Sequence, residues 1–194
     1  MAASLTQHAL TPRFAWTGAL TRLALACAVI VTSLTLAACD DKSNASVAPV
    51  KIAGKTFFLE LALDDATRFR GLSERTHIDP EGGMLFVFPP QLIMAHGFVM
   101  RDCPIPIDIL YLDSAGRVVS SFAMVPEPPR DPAKGEGTPA EAGNPQYNAR
   151  LKQYTSRFPA QFVVELAGGT LKTVNVKDGD LIEFNREDVL KRLK

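Results

Sequence analysis

Three cysteines, three histidines and one tryptophan in 194 residues leave little material for several kinds of chemistry. No set of cysteines and histidines has zinc spacing, and neither a glycine-rich phosphate loop nor a Gly-x-Ser-x-Gly elbow occurs. Charge of one sign is also missing. The 21 Lys and Arg residues balance 21 Asp and Glu, so the basic footprint of a nucleic-acid partner is absent. No apolar run reaches the ~20 residues that a spanning helix needs. No internal repeat is visible, and no cofactor motif is present.

What the chain does have begins at its N-terminus. Residues 1–38 contain Arg13 and Arg22 but no acidic residue, then an apolar run over 23–36 that ends in Leu36-Ala37-Ala38-Cys39. This pattern resembles a bacterial lipoprotein signal. It implies removal of residues 1–38, lipidation of Cys39, and a protein of the cell envelope held to a membrane by its lipid and facing the periplasm. Two or three acyl chains hold stably where one does not, at ~0.8 kcal/mol per buried methylene. Asp40 resembles an inner-membrane retention signal of enterobacteria, a rule that varies between bacteria and leaves the choice of membrane open. Cys27 would be cleaved away and Cys39 modified, so Cys103 is the single remaining thiol and no intramolecular disulfide can form.

Residues 39–50 read as a polar tether with a mean reach of roughly 18 Å. The remainder, 51–186, is long enough for one domain with its own core, followed by a tail or short helix over 187–194. Within it, Ala53-Gly54 reads as a hairpin turn, with Phe57, Leu59, Leu61 and Leu63 alternating behind it. Asp64 or Asp65 can cap a short helix reaching about Leu72, with Phe69 and Leu72 inward and Arg68 and Arg70 outward. Strands are predicted over 84–88, 105–113, 117–125, 162–169, 172–176 and 180–184. Residues 126–146, rich in Pro and Gly, read as a mobile loop insertion. Short strands at this spacing predict a mainly-β fold: a compact antiparallel sandwich or barrel-like domain with one or two short helices.

Four blocks in order carry a family resemblance across about residues 51–184. They are Gly71-Leu72-Ser73 with Arg75; Gly83-Met84-Leu85-Phe86; Met100-Arg101-Asp102-Cys103 with Ile105-Pro106-Ile107-Asp108-Ile109; and Val164-Glu165-Leu166 with Gly168, then Gly179-Asp180. The chain resembles the bacterial and archaeal family called domain of unknown function 192. The resemblance implies a compact, mainly-β fold and frequent export, and it implies no activity. Ser73, Arg101-Asp102-Cys103 and the proline-rich insertion depart from the family pattern.

The stretch from His96 to Asp113 concentrates the unusual chemistry. As a strand, its second half has two apolar faces, which buries Asp108. Such a carboxylate needs a partner, and Arg101 or backbone N–H groups of the Pro104–Pro106 turn are candidates. A structural Asp108 that ties a turn and a ligand-facing Asp108 both fit. The leading functional reading is non-enzymatic binding of a small polar ligand by Arg101, Asp102, Cys103 and Asp108. A scaffold or protein-interaction module of the envelope is the alternative. Three narrower readings also stand: copper(I) on Met94, His96 and Met100, with Cys103 just beyond; a thiol enzyme pairing Cys103 with His96 or His77; and acid–base hydrolysis by Asp102, Asp108 and Glu165.

Overall fold

The computed structural model describes residues 47–193. The expected signal peptide, Cys39 and most of the tether therefore lie outside the described residues. Strand β1 (Val47–Ile52) begins inside the expected tether and returns as β2 (Lys55–Ala62). Ala53 (φ 47°) and Gly54 (φ 85°) make their turn, both left-handed as a two-residue hairpin requires. Helix α1 (Asp65–Arg70) follows, capped by Asp64, whose side chain accepts from the Thr67 N–H. Strand β3 (Met84–Val87) then lies parallel to β2.

The chain continues through a short β4 (Gly97–Phe98) to β5 (Ile107–Leu112) and β6 (Val118–Met124). Two 3-10 turns, Pro132–Lys134 and Pro139–Glu141, lead to α2 (Pro145–Arg150) and to β7 (Tyr154–Thr155), which pairs with β4. Strand β8 (Phe162–Ala167) is followed by α3 (Thr170–Val174) and α4 (Arg186–Lys191).

Six strands form one open, mixed sheet in the order β1-β2-β3-β8-β5-β6, antiparallel everywhere except between β2 and β3. This corrects the mainly-β sandwich or barrel expectation: the fold is mixed α/β with four short α-helices among the described residues. The physical reason lies in the three central strands. Every residue of β3 and β5, and all of β8 but its last, is buried, so the sheet is covered on both faces.

One face carries Val50, Phe57, Leu59, Leu85, Leu110, Phe162 and Val164 beneath Leu171, Val174, Val189 and Leu190 of α3 and α4. The other carries Phe86, Ile109, Tyr111 and Val163 beneath Leu72, Leu92, Phe98 and Met100. Helices, loops and the small β4–β7 pair, rather than a second large sheet, supply the covering layers. Residues 181–183, expected as a strand, make only isolated bridges to Arg117 and Lys51. They tie the two edges of the open sheet together at one end. The expected strand over 172–176 is α3 and its exit.

Asp108 sits on the helix-covered face, where its Oδ2 accepts the Leu171 N–H at 2.7 Å. It satisfies a free donor of α3, whose own N-cap position is Gly169 (φ 91°) and offers no side chain. The partner is therefore neither Arg101 nor the proline turn. Loss of a buried charged hydrogen bond costs about 1.5–3 kcal/mol. Asp108→Ala should lower the urea midpoint accordingly without changing the slope, and an unchanged midpoint would show that α3 does not depend on this bond.

Candidate functional site

On the opposite face a cavity of about 310 Å3 opens between α1, its following turn, and the segment that precedes β5. Its lining includes Phe86 of β3 and Glu165 of β8, Arg68 to Ser73 around the end of α1, and His96, Arg101 and Cys103. Sheet register explains the floor: Glu165 pairs with Met84 on one side and Ile109 on the other, so its side chain shares a face with Val163 and Phe86. Gly71 makes the adjoining wall possible. A Cβ there would stand 3.3 Å from the Phe86 ring and 3.7 Å from Glu165 Oε2, and its φ of 53° with ψ of −136° suits only glycine.

Four buried side-chain polar atoms lack a hydrogen-bond partner among the described residues: His96 Nε2, Arg101 Nε, Glu165 Oε2 and Asn148 Oδ1. The first three belong to residues that line this one cavity. Buried polar groups are ordinarily paired, so their convergence marks the place where pairing has been left to something else.

Electrostatics divides these groups. Burial holds the Glu165 carboxyl up at about 8, so it is mostly neutral at pH 7. Burial also lowers the His96 imidazole, partly offset by the carbonyls of Ala160 and Leu92, and Arg68 lowers it further. The imidazole stacks on Phe88 at 3.8 Å between centroids. Arg101 is lowered by burial but remains cationic. Its guanidinium lies over the Phe69 ring at 4.0 Å and donates to the Phe69 carbonyl at 3.3 Å.

Phe69 is consequently half-exposed at the rim instead of packed inward. Arg68 is the one that turns in, donating to the Val87 carbonyl at 2.9 Å with a side chain only 10% exposed. This reverses the expectation for Phe69 and Arg68, whereas Leu72 is buried and Arg70 exposed as expected. The reason is capping geometry: the strand-end carbonyl of Val87, a fully buried residue, needs a donor, and the Arg68 stem reaches it while its other nitrogen meets Asp65 at 2.7 Å.

The four residues expected to bind ligand separate. Arg101 and Cys103 line the cavity; Asp102 and Asp108 do not. Both oxygens of Asp102 take Arg130, each at 2.8 Å, in a side-on pair that leaves 11% of the Asp102 side chain exposed. Asp108 is on the other face. Glu165, which entered the sequence reading only as one of three acids, is the carboxyl actually at the cavity floor. Its signal was a charged residue inside the otherwise apolar 162–167 run. The three acids thus occupy three different environments.

The thiol and metal groupings fare similarly. The Cys103 thiol is pushed up to about 12 by burial, with Glu165 and Asp102 adding to it, so almost none is the nucleophilic thiolate. His77 is exposed and meets Asp79, far from serving Cys103 in the cavity. Met94 is 53% exposed whereas Met100 is a core residue, so Met94, His96 and Met100 do not face one point. Among the described residues no group of three or more His, Cys, Asp and Glu could hold a metal ion.

A buried carboxyl whose folded-state pKa exceeds its unfolded value adds a pH-dependent stability term that is fully present below about pH 4.5 and lost as pH rises through about 8. The wild-type melting temperature should therefore fall between pH 5 and pH 9, and Glu165→Gln should flatten that decline. Parallel profiles in the two proteins would show that Glu165 is not the titrating group.

Among the described residues no helix is long and apolar enough to cross a membrane. The description of the chain as a membrane-anchored lipoprotein has no support within residues 47–193, and its Cys39 lies outside them. Comparison with known proteins locates the domain more firmly. No curated protein matches the chain. A solved structure from Sinorhizobium meliloti 1021, provisionally described as a transcription regulator, is 27% identical over 71% of this chain and 91% of its own, with a TM-score of 0.53. A protein of unknown function from Novosphingobium aromaticivorans DSM 12444 is 26% identical over 71% of this chain and 84% of its own, with a TM-score of 0.55. The family model DUF192, Uncharacterized ACR, matches residues 48–184, and the chain belongs to that family.

Proposed function

We propose that this domain binds a small polar molecule in the cavity above Glu165. The observation that carries the reading is the convergence of three side chains that each hold a buried, unpartnered polar atom, Glu165 Oε2, Arg101 Nε and His96 Nε2, on one mostly apolar space. Ligand sites are typically concave and apolar with a few placed polar groups, and about 310 Å3 suits a molecule of metabolite size. A Cys103 held as the neutral thiol contributes a soft, weakly polar wall rather than a nucleophile. On this reading Asp102 and Asp108 support the site from outside it.

A protein-interaction role is the second reading, favoured by one patch. Met94 bridges Ala160, which places the two segments that carry exposed Ile93, Met94 and Phe158 side by side. The regulator description of the Sinorhizobium protein raises a nucleic-acid reading as well. Balanced charge and described helices of only five or six residues argue against a recognition helix in a groove.

The cavity reading is tested by a thermal-shift screen of the full-length chain against small acids, sugars and amines. A ligand at 100 times its dissociation constant stabilises by about 2.7 kcal/mol, and the shift should shrink in His96→Ala. A screen with no stabilising class would favour the interaction surface instead.

The reading also includes attachment to a bacterial envelope membrane through Cys39, with the domain facing the periplasm. It is supported by Leu36-Ala37-Ala38-Cys39 behind an apolar run and by the polar residues that follow. Cys39→Ser should release the protein from the membrane fraction, and unchanged sedimentation with membranes would overturn the attachment.

A further inference from the structure

We propose that the cavity ligand is a small monocarboxylic acid with an apolar body, its carboxylate held by the guanidinium of Arg101 and its far end bearing a hydrogen-bonding group that meets the carboxyl of Glu165. The inference rests on the cavity reading above and adds the ligand's chemical class.

The charge balance of the lining leads there. Arg68 is spoken for by Asp65 at 2.7 Å and by the Val87 carbonyl at 2.9 Å. Arg101 has no carboxylate of its own. The acid beside it, Asp102, is fully engaged by Arg130. Arg101 itself makes one long bond to the Phe69 carbonyl and carries the Phe69 ring over its face. A guanidinium with unused in-plane donors matches a carboxylate's geometry, and stacking on an aromatic ring leaves that fork free.

The other end of the cavity sets the limit on charge. Glu165 is 5% exposed, and its Oε2 has no partner. The titratable groups around it are Tyr111 from β5, Cys103 and Arg101 from the segment before β5, His96 farther along that segment, and Arg68, Asp65 and Arg70 from α1. Strand β3 contributes only Met84 and Phe86 as neighbours. Apart from Arg101 and Arg70, every one of these groups is neutral at pH 7 or already paired. Of these two, Arg70 is exposed to solvent and Arg101 is partly buried in the wall, so among the described residues one desolvated cation is set against one ligand charge. A phosphate dianion would press its second charge toward a carboxyl, and an amine would have to sit beside Arg101 and Arg70.

A neutral Glu165 can donate its proton in a hydrogen bond to a ligand oxygen, whereas its ionised form would repel an acid. Phe86, Phe88, Phe98 and Leu72 along the lining give the ligand's middle an apolar, aromatic surround. Affinity for an acid should then fall as pH rises through the titration of Glu165. One unit above that point the competent fraction is down about tenfold, and so is the apparent affinity.

The test is titration calorimetry on the full-length chain with four probes: 4-hydroxyphenylacetate, benzyl alcohol, benzylamine and inorganic phosphate. The structure leads us to expect binding of 4-hydroxyphenylacetate at pH 6, roughly tenfold weaker at pH 9, with little heat from the other three. Arg101→Gln should weaken that binding at least about tenfold, as loss of a charged hydrogen bond does. Arg101→Lys, which keeps the charge and the stem, should recover part of it and guards against a misfolded variant. Glu165→Gln should flatten the pH profile. Benzylamine binding that tightens with pH, or equal binding of benzyl alcohol, would overturn the acid while leaving the cavity reading in place. Silence from all four probes, together with an empty thermal-shift screen, would overturn both.

Discussion

The constraint on which everything else depends is that β8 runs between β3 and β5 at the centre of the sheet and must be shielded on both sides. A strand in that position permits no water at either face, so two covering layers have to be found within a short chain. The C-terminal helices provide one. The other is assembled from segments with little regular structure, and an irregular layer over a sheet cannot fill every space at side-chain density. The cavity occurs on that side for this reason. It is the imperfectly covered face of the sheet, not a cleft between domains.

Two carboxyls were placed in this dry central region, and their different fates separate architecture from function. Asp108 points to the helical layer and finds a backbone donor at the start of α3. Its burial is compensated, and what it yields is the docking of a helix whose glycine N-cap could not have supplied that acceptor. Glu165 points to the irregular layer, where its Oε2 finds no partner. An unpaired buried carboxyl costs several kilocalories per mole if ionised, and avoids that cost by staying protonated. A chain that needed only a filled core would place leucine there. The same physics that marks Asp108 as structural marks Glu165 as available.

Much of the sheet was readable from residue pattern alone. The Ala53-Gly54 turn, the Asp64 cap, and the runs that became β3, β5, β6 and β8 all carry local signals of alternation, apolarity or turn chemistry. What could not be read is the layer arrangement. Parallel pairing of β2 with β3 leaves no mark in either strand, and α3 spans only five residues with β-branched Thr170, Thr173 and Val174 among them, so its sequence reads as strand. The site was half legible. Arg101 and Cys103 stood out as departures from the family pattern, yet their neighbours in sequence, Asp102 and Asp108, face elsewhere because a strand and a tight turn reverse direction at each residue. Glu165 joins Arg101 only through the register of β8 on β5, which no spacing along the chain encodes.

The proline-rich segment illustrates how non-apolar sequence can still be held in place. It was expected to be mobile because it buries no hydrophobic face, and that premise is sound. It is instead fastened by arginines. Arg130 and Arg150 lie over the Tyr147 ring at 3.8 and 4.8 Å, Arg130 takes Asp102, and Arg150 takes Glu136 at 2.7 Å. Hydrogen bonds from Arg150 and from the Asp131 N–H hold the Glu136 carboxyl down at about 2, so this clamp persists through the whole physiological pH range. Its anchor point is telling. Asp102 sits in the left-handed region at φ 51°, a conformation that Asp tolerates but does not prefer, and the Tyr147 hydroxyl and the Glu74 N–H grip the same residue by its backbone N–H and carbonyl. Three segments distant in sequence thus fix one turn, and the residues on either side of it are Arg101 and Cys103. By engaging both oxygens of Asp102, the segment keeps that acid from pairing directly with Arg101, which feels its charge only from a distance. It thereby leaves the guanidinium at the cavity without a carboxylate hydrogen-bonded to it.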